Sequence, residues 1–321
     1  MTNIRIGYAI ALAALIAAPF FIYPIFLMNV MCFALFASAF NLLIGYTGLL
    51  SFGHAALFGS AAYITGHVLS KMGLPAEVGI LLGTATGAAI GLVMGLLAIR
   101  RTGIYFTMIT LALAQMVYFI CLQAPFTGGE DGLQGVPRGK LLGVVNLASD
   151  LNMYYLVLAI AVGSFALVMR TVHSPFGRVM KAIKENEPRA ISLGYDVNKY
   201  KLMAFVLSAA LSGLAGSTKT LVFGFATLTD VHWNLSGLVV LMTLVGGLGT
   251  LLGPIIGALI IISLENKLGD LGTWLAAVTS IEWFKSIGES VTMVTGLIFI
   301  ICVLAFRRGI VGEIAAFFKR P

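Results

Sequence analysis

Repeated apolar runs of about twenty residues constrain the fold of this chain more than any other feature of its sequence. Hydrophobic residues make up 59% of the 321 residues, and the mean hydropathy is +1.00. A run of this length crosses the roughly 30 Å hydrocarbon core of a bilayer as an α-helix. The alternating segments of about ten residues that are typical of a membrane β-barrel are absent from the sequence. The sequence therefore predicts an all-α polytopic membrane protein.

Length and hydropathy predict about ten transmembrane or re-entrant helices in one transmembrane domain, residues 1–321. They lie at approximately 6–23, 25–44, 52–70, 76–99, 104–122, 153–171, 202–222, 235–250, 253–267 and 288–306. The first is expected to be an uncleaved span, because it is longer than the core of a secretory signal. Gly and Pro interrupt the eighth and ninth, which are either full spans or re-entrant segments. A short interfacial helix is predicted near Trp274 and Trp283.

Charge asymmetry indicates the orientation of these spans. Lys and Arg accumulate on the cytoplasmic side of membrane proteins. With both termini placed in the cytoplasm, fourteen of the twenty basic residues fall on that side and six on the other. The sequence therefore predicts cytoplasmic termini. Because the pI near 9.4 follows from this topology, it gives no reason to expect a nucleic-acid partner.

One dense cluster of charge interrupts the apolar sequence. Residues 174–201, SPFGRVMKAIKENEPRAISLGYDVNKYK, hold nine of the chain's 33 charged residues and fall on the predicted cytoplasmic side. Ser174 and Pro175 are typical of a helix start, and an apolar stripe with helical spacing follows. Pro188 is expected to end or kink this helix, Gly194 to end a second one, and Asn198 to cap the next span. The segment 172–201, here called the charged hairpin, is predicted to be a helical hairpin outside the membrane.

Two roles fit a hairpin of this kind. Its basic residues could bind the anionic headgroups of the inner leaflet, or its charged face could dock on another protein. Acidic residues are interspersed with the basic ones: Glu185, Glu187 and Asp196. Since an anionic surface repels carboxylates, this mixture modestly favours docking.

Four motifs resemble, in this order, the permease subunits of branched-chain amino acid ABC importers of the LivM/LivH type, and the LivM branch most. They are NLLIGYTGLLSFGHAALFGSAAYI (41–64), TGGEDGL (127–133), GRVMKAIKENEPRAISLGYDVNKYKLMAFVLSAALSGLAG (177–216) and LVGGLGTLLGPIIGAL (244–259). The resemblance covers most of residues 30–306. It implies an ABC importer permease bundle.

The resemblance also implies a role for the charged hairpin. In that family this segment is the coupling helix that sits in a groove of the ATPase subunit. The residues that the resemblance places in ATPase coupling are Gly177, Arg178, Lys181, Glu185, Ala190 and Gly194. The broader importer pattern Glu-Ala-Ala-x-x-x-Gly is only partly kept, as Pro188-Arg189-Ala190 ahead of Gly194.

The partners follow from the same resemblance. It implies a second homologous permease subunit, two cytoplasmic ATP-binding subunits and a periplasmic amino acid-binding protein, assembled in the bacterial inner membrane. The sequence GVPRGKL at 135–141 is one residue short of a P-loop and has Leu where Ser or Thr is needed. We therefore expect the partner subunits to use ATP and Mg²⁺, and this chain to bind no cofactor or metal and to be no enzyme.

Polar residues within or beside the apolar runs are candidates for a substrate pathway. They are Asn41, Ser51, His54, Thr107 and Gln115. Polar groups inside a membrane usually face the bundle interior, but they also serve as locally bonded packing residues, so both roles are open. Lys219 is expected to snorkel to the membrane interface. In the predicted external loop, residues 123–152, Glu130 and Asp131 are candidates for contact with the binding protein.

The resemblance implies ATP-driven import. Branched-chain or related small amino acids are the expected cargo, because an apolar path with few charges suits them. An ABC permease for urea or short amides is an open alternative. A second alternative is an ion-coupled secondary transporter. It would require acidic residues inside the spans, whereas most Asp and Glu fall in loops or at span ends.

Overall fold

Most of the apolar segments in the described part of the chain are α-helical. The computed structural model describes residues 12–141, 143, 145–279, 296–297, 300 and 309–318, with side chains except at 268–279 and 314–318. A bilayer interior offers no water to backbone groups, so helices that satisfy their own hydrogen bonds are the expected solution. Over the described residues the all-α fold class is confirmed, with a single two-residue β-hairpin in a loop.

The helices follow one another with short connections. After a helical segment at 12–17 and a 3₁₀ turn at Ala18–Phe20, they are α1 (Pro24–Thr47), α2 (His54–Ser70), α3 (Ala76–Ala98), α4 (Ile104–Gln123), α5 (Asp150–His173), α6 (Pro175–Glu185), α7 (Glu187–Ser192), α8 (Val197–Phe223), α9 (Trp233–Gly246), α10 (Gly253–Thr279) and α11 (Gly309–Phe318). The loop between α4 and α5 contains 3₁₀ turns at Pro125–Thr127 and Gly129–Asp131 and the strands β1 (Lys140–Leu141) and β2 (Val145–Asn146). A further 3₁₀ turn lies at Leu228–Asp230.

Five described helices are long and apolar enough to cross a membrane: α1, α3, α4, α5 and α8. Their bounds agree with the predicted spans 25–44, 76–99, 104–122, 153–171 and 202–222, and α2 agrees with 52–70. The first predicted span is described only from residue 12. The predicted span at 288–306 lies almost wholly outside the described residues, as does Trp283.

For the next two predicted segments, the structure favours one of the open alternatives for the first and corrects the bounds of the second. α9 has 14 residues, about 21 Å at 1.5 Å per residue, so it is too short to cross the core alone. α10 has 27 residues and continues past the predicted end at 267. It also includes Trp274, where a separate interfacial helix was expected. The polar residues at 265–267 lower the hydropathy, but Glu, Asn and Lys do not by themselves end a helix.

Glycines let the central helix pack closely against its neighbours. α8 contacts α1, α2 and α3. A methyl group at Gly87 of α3 would lie 2.9 Å from the Cα of Gly213 in α8. A methyl group at Gly216 would overlap the carbonyl of Phe58 in α2. Because lipid gives helices no hydrophobic reason to associate, such close backbone contacts supply much of the packing energy.

A buried ion pair lies at the C-terminal end of α8 and corrects the snorkelling prediction. Lys219 is only 7% exposed, and its Nζ lies 2.8 Å from both carboxylate oxygens of Asp230. The ammonium also lies 4.6 Å from the centroid of the Phe225 ring. Asp230 in turn accepts a hydrogen bond from the Thr227 amide. The loop after α8 folds back over the helix end, and sequence spacing alone does not reveal this return.

Replacing Lys219 with Met should destabilise the protein strongly, because it leaves the Asp230 carboxylate buried without its partner. Loss of one member of a buried pair costs about 3 kcal/mol or more. The double variant Lys219→Met/Asp230→Asn should recover much of this loss, since Asn removes the charge but still accepts from Thr227. The free energy of unfolding in detergent is the measurement. Lys71→Met, at an exposed lysine on the same side, is the control, and an equal loss there would contradict the prediction.

Candidate functional site

The charged hairpin folds as the sequence predicts at its start and middle. The Ser174 hydroxyl accepts a hydrogen bond from the Gly177 amide at 3.2 Å and caps α6. The Asn186 side chain caps α7 through the Arg189 amide at 3.1 Å. These caps satisfy amides that have no partner inside the helix. The hairpin is therefore a defined structure outside the long helices.

The cap of α8 differs from the prediction. Asp196, not Asn198, caps this helix: its carboxylate accepts a hydrogen bond from the Lys199 amide at 3.3 Å. The helix begins at Val197, so Asn198 already lies within it. The Lys199 side chain pairs with the same carboxylate at 3.0 Å. The hydrogen bond from the Lys199 side chain lowers the pKa of the Asp196 carboxyl.

Three of the predicted coupling residues shape the hairpin from within. A methyl group at Gly177 would overlap the carbonyls at the end of α5. Ala190 is 2% exposed and packs in a small cluster with Ile183 and Val197. Gly194 has φ +85°, a left-handed conformation that favours glycine. Their contact with an ATPase stays a prediction.

The other three predicted coupling residues are Arg178, Lys181 and Glu185, and all are exposed. The exposed surface of the hairpin is here called its outer face. Beyond them, the structure exposes an apolar trio that sequence reasoning missed: Ile191, Leu193 and Tyr195, which are 57%, 66% and 40% exposed. These three residues occupy every second position after Pro188, and a search for helical periodicity does not detect that spacing. The outer face thus combines mixed charge with apolar surface.

The inner face of the hairpin is fixed to α8. The Nζ of Lys201 lies 2.7 Å from the Glu187 carboxylate, and Lys201 is only 2% exposed. The ring of Phe176 stacks on that of Tyr200, with centroids 5.7 Å apart. Ion pairing and ring stacking therefore attach both helices of the hairpin to the first turn of α8.

A second attachment joins the hairpin to the end of α1. The Nζ of Lys184 donates a 2.8 Å hydrogen bond to the Gly45 carbonyl. One turn earlier in α6, the Nζ of Lys181 lies 5.3 Å from the centroid of the Tyr46 ring. The carbonyls at a helix C-terminus lack partners and carry partial negative charge, so two cations are well placed there. The lysine spacing gave no indication of this contact.

The predicted pathway residue His54 lies in a buried aromatic environment. Its Nε2 is 2.9 Å from the Ser208 hydroxyl, which in turn donates to the Ala39 carbonyl. The rings of Phe40 and Phe205 meet the imidazole edge to face. The Ser51 backbone lies near the ring, but Nδ1 has no hydrogen-bond partner of good geometry. These contacts join His54 of α2 to α8 and α1.

Two further pathway candidates hold the segment between α1 and α2. Ser51 is fully buried and accepts a hydrogen bond from the Gly53 amide at 3.1 Å. The Thr107 hydroxyl donates to the Leu50 carbonyl at 3.0 Å. His54 is the first residue of α2 and directly follows the same segment. The structure therefore brings these three candidates to one place, at the segment between α1 and α2.

The remaining two pathway candidates lie elsewhere. The Asn41 side chain accepts from the Gly249 amide and donates to the Thr250 carbonyl, both at 2.9 Å. These two hydrogen bonds hold the turn between α9 and α10 against α1. Gln115 is half-buried on α4, about two helical turns from Thr107. The pathway role of all five residues stays a prediction.

The loop between α4 and α5 carries the candidate binding-protein contacts. Glu130 and Asp131 are exposed in the 3₁₀ turn at Gly129–Asp131. A backbone bridge between Leu133 and Ala226 joins their loop to the loop after α8. The Arg138–Asp150 ion pair, at 2.6 Å, ties the same loop to the start of α5. Both acidic side chains are thus presented on a well-anchored loop.

The comparison with protein families identifies the fold. A family model described as "Branched-chain amino acid transport system / permease component" matches residues 22–304. The chain belongs to this family. It is therefore an ABC permease and a multi-pass membrane protein, and the resemblance predicted from the four motifs is confirmed.

Several curated proteins are similar to this permease. LivM of Salmonella typhimurium, a high-affinity branched-chain amino acid transport system permease protein, is 24% identical over 267 residues. That alignment covers 76% of this chain and 63% of LivM, so the chain spans about 63% of the relative's length. The ribose import permease protein RbsC of Bacillus subtilis is 32% identical over 50% of this chain and 51% of its own. The autoinducer 2 import system permease protein LsrC of Klebsiella pneumoniae is 31% identical over 57% and 53%.

Among solved structures, the complex of PsaBC from Streptococcus pneumoniae with a Fab aligns with this permease. The alignment covers 90% of this chain and 94% of the other, with 15% sequence identity and a TM-score of 0.41.

The buried position of Ala190 generates a prediction about the hairpin of this permease. Ala190→Phe should overpack the small cluster of Ile183 and Val197 and destabilise the hairpin by about 1–3 kcal/mol. The hairpin should then open more often, and trypsin should cleave it faster at its lysines and arginines. Ala182→Phe, at an exposed alanine of α6, should leave the cleavage rate unchanged. Equal cleavage of the two variants would show that Ala190 does not support the hairpin.

Proposed function

We propose that the chain is the membrane-spanning permease subunit of an ATP-driven importer that carries branched-chain or related small amino acids across the bacterial inner membrane. The observation that carries this proposal is the charged hairpin, a rigid element that is fixed on one face and exposed on the other. It lies outside the long helices of a chain that belongs to a permease family.

The outer face of the hairpin suits a protein partner. Its apolar trio, Ile191, Leu193 and Tyr195, lies in a segment that also carries exposed charged side chains of both signs. Apolar surface within a charged rim is the usual composition of a protein interface. A membrane surface would accept the apolar residues and the lysines but would repel Glu185. We therefore assign this face to a cytoplasmic ATP-binding subunit.

The rest of the assembly follows from the function of a permease subunit. This chain pairs with a second homologous permease, each hairpin engages one ATP-binding subunit, and ATP with Mg²⁺ is used by those subunits. A periplasmic binding protein delivers cargo to the outer end, where Glu130 and Asp131 are exposed. Displacement of the hairpins then opens the pathway to one side of the membrane at a time.

The family description and the LivM relatives support branched-chain amino acids as the cargo. Ribose is the second candidate, because ribose import permeases are among the relatives.

Transport by the purified assembly tests the proposal. The tagged chain is purified in mild detergent with its co-eluting subunits, and the complex is placed in liposomes with ATP at the ATPase side. Labelled leucine should accumulate only when ATP and the binding protein are present, and excess ribose should not compete. Competition by ribose would identify a sugar importer. Accumulation without ATP that collapses with an ion gradient would identify a secondary transporter.

Charge placed in the apolar trio should detach the ATP-binding subunit. In Ile191→Asp/Leu193→Asp, two exposed apolar contacts become charged, so binding should weaken by about 100-fold, as expected for interface positions worth about 1–2 kcal/mol each. The matched control, Ile191→Leu/Leu193→Met, keeps the apolar surface and should bind normally. Co-elution of the ATP-binding subunit is the readout, and trypsin sensitivity reports whether the hairpin is intact. Undiminished co-elution of the charged variant would place the docking surface elsewhere.

A further inference from the structure

The end of α1 lies between the charged hairpin and the turn that joins α9 to α10. On one side, Lys184 of α6 donates its 2.8 Å hydrogen bond to the Gly45 carbonyl. On the other side, Gly45 approaches that turn so closely that a methyl group on it would lie 2.9 Å from the Gly249 nitrogen. One residue, Gly45, thus faces a hairpin lysine through its carbonyl and the turn through its Cα.

The contact between α1 and the turn includes two hydrogen bonds, one in each direction. Asn41, one helical turn before Gly45, uses its amide oxygen and its amide nitrogen at the same time. The oxygen accepts from Gly249 and the nitrogen donates to Thr250, so the amide fixes both a donor and an acceptor of the turn. Gly249 adopts φ +74°, a conformation in which the turn presents its backbone to α1 and which favours glycine.

We propose that Lys184 is a positioning residue that passes movement of the charged hairpin to the turn at 247–252, through Gly45 and Asn41. These contacts are called the Lys184 link. The proposal rests on the proposed function, since a hairpin that no ATP-binding subunit moves would have nothing to transmit. It adds a route from the hairpin to a specific part of the bundle, and it gives Asn41 a role in coupling rather than in contact with cargo.

Two physical features make this route effective. A cation at the C-terminal end of a helix binds carbonyls that lack intrahelical partners and stabilises the negative end of the helix dipole. Backbone contacts at glycine leave no side chain that could deform between the two elements. The turn is also connected onward, because a methyl group at Gly309, the first residue of α11, would overlap Gly247.

Other lysines of the hairpin provide matched comparisons. The side chain of Lys199 is 78% exposed and pairs with Asp196 at the surface. Lys181 reaches the ring of Tyr46 but not the backbone. If the link depends on the Gly45 carbonyl, loss of the Lys184 ammonium should matter far more than loss of Lys199.

The test compares Lys184→Met, Lys184→Arg and Lys199→Met in the assembled complex. Lys184→Met keeps the aliphatic stem but removes the donor, so import should fall by about tenfold or more, the size expected for loss of a hydrogen bond from a charged donor. Co-elution of the ATP-binding subunit and ATP hydrolysis should persist, which separates lost transmission from lost docking. Lys184→Arg should retain part of the import, and Lys199→Met should behave as the wild type.

Hydrogen exchange provides a readout that does not depend on transport. In the chain alone, Lys184→Met should speed amide exchange in peptides that cover residues 244–252, because the end of α1 no longer holds Gly249 as firmly. Wild-type import by Lys184→Met, or loss of import with unchanged exchange in this turn, would overturn the Lys184 link. If the wild-type complex shows no ATP-driven import, the proposed function fails instead, and the exchange measurement alone then decides whether Lys184 controls the turn.

Discussion

The structure depends on close backbone contact between α8 and its neighbours. Lipid tails are as apolar as leucine, so helices inside a bilayer gain little by burying apolar side chains against each other. They gain by approaching closely, and α8 does so where Gly213 meets Gly87 and where Gly216 meets the Phe58 carbonyl. Contacts of this kind do not deform gradually. The bundle of α2, α3 and α8 is therefore expected to move as a unit, with changes concentrated in the segments attached to it.

Two buried lysines of α8 attach those segments at opposite ends of the helix. Lys201 pairs with Glu187 of the charged hairpin, and Lys219 pairs with Asp230 of the loop after α8. They are 18 residues apart, which corresponds to about 27 Å of helix and nearly matches the hydrocarbon thickness of a bilayer. Charges are costly at the centre of a membrane but much less so near its boundaries. The two ion pairs therefore mark where α8 leaves the apolar region on each side.

The sequence predicted most of the long helices and the local course of the hairpin, because both depend on short-range signals. Apolar length fixes a span, and the Ser174 cap and the Gly194 stop are readable within a few residues. What the sequence could not provide were contacts between distant segments. Lys219 pairs with Asp230 because the loop after α8 turns back. Lys184 binds a backbone carbonyl, a group that every residue has. Asn41 was recognised as a polar residue in an apolar run, but its partners lie more than 200 residues away.

The two attachments of the hairpin have different consequences for movement. Lys201 joins it to α8, which is part of the glycine-packed unit, whereas Lys184 joins it to the C-terminal end of α1. A displacement that pivots about Lys201 would leave the packed unit intact and would shift the Gly45 end of α1 relative to it. The turn at 247–252 is held to that end by Asn41, and α9 is too short to anchor the turn across the membrane. Movement of the hairpin is therefore expected to appear first in α9 and α10 rather than in the central helices.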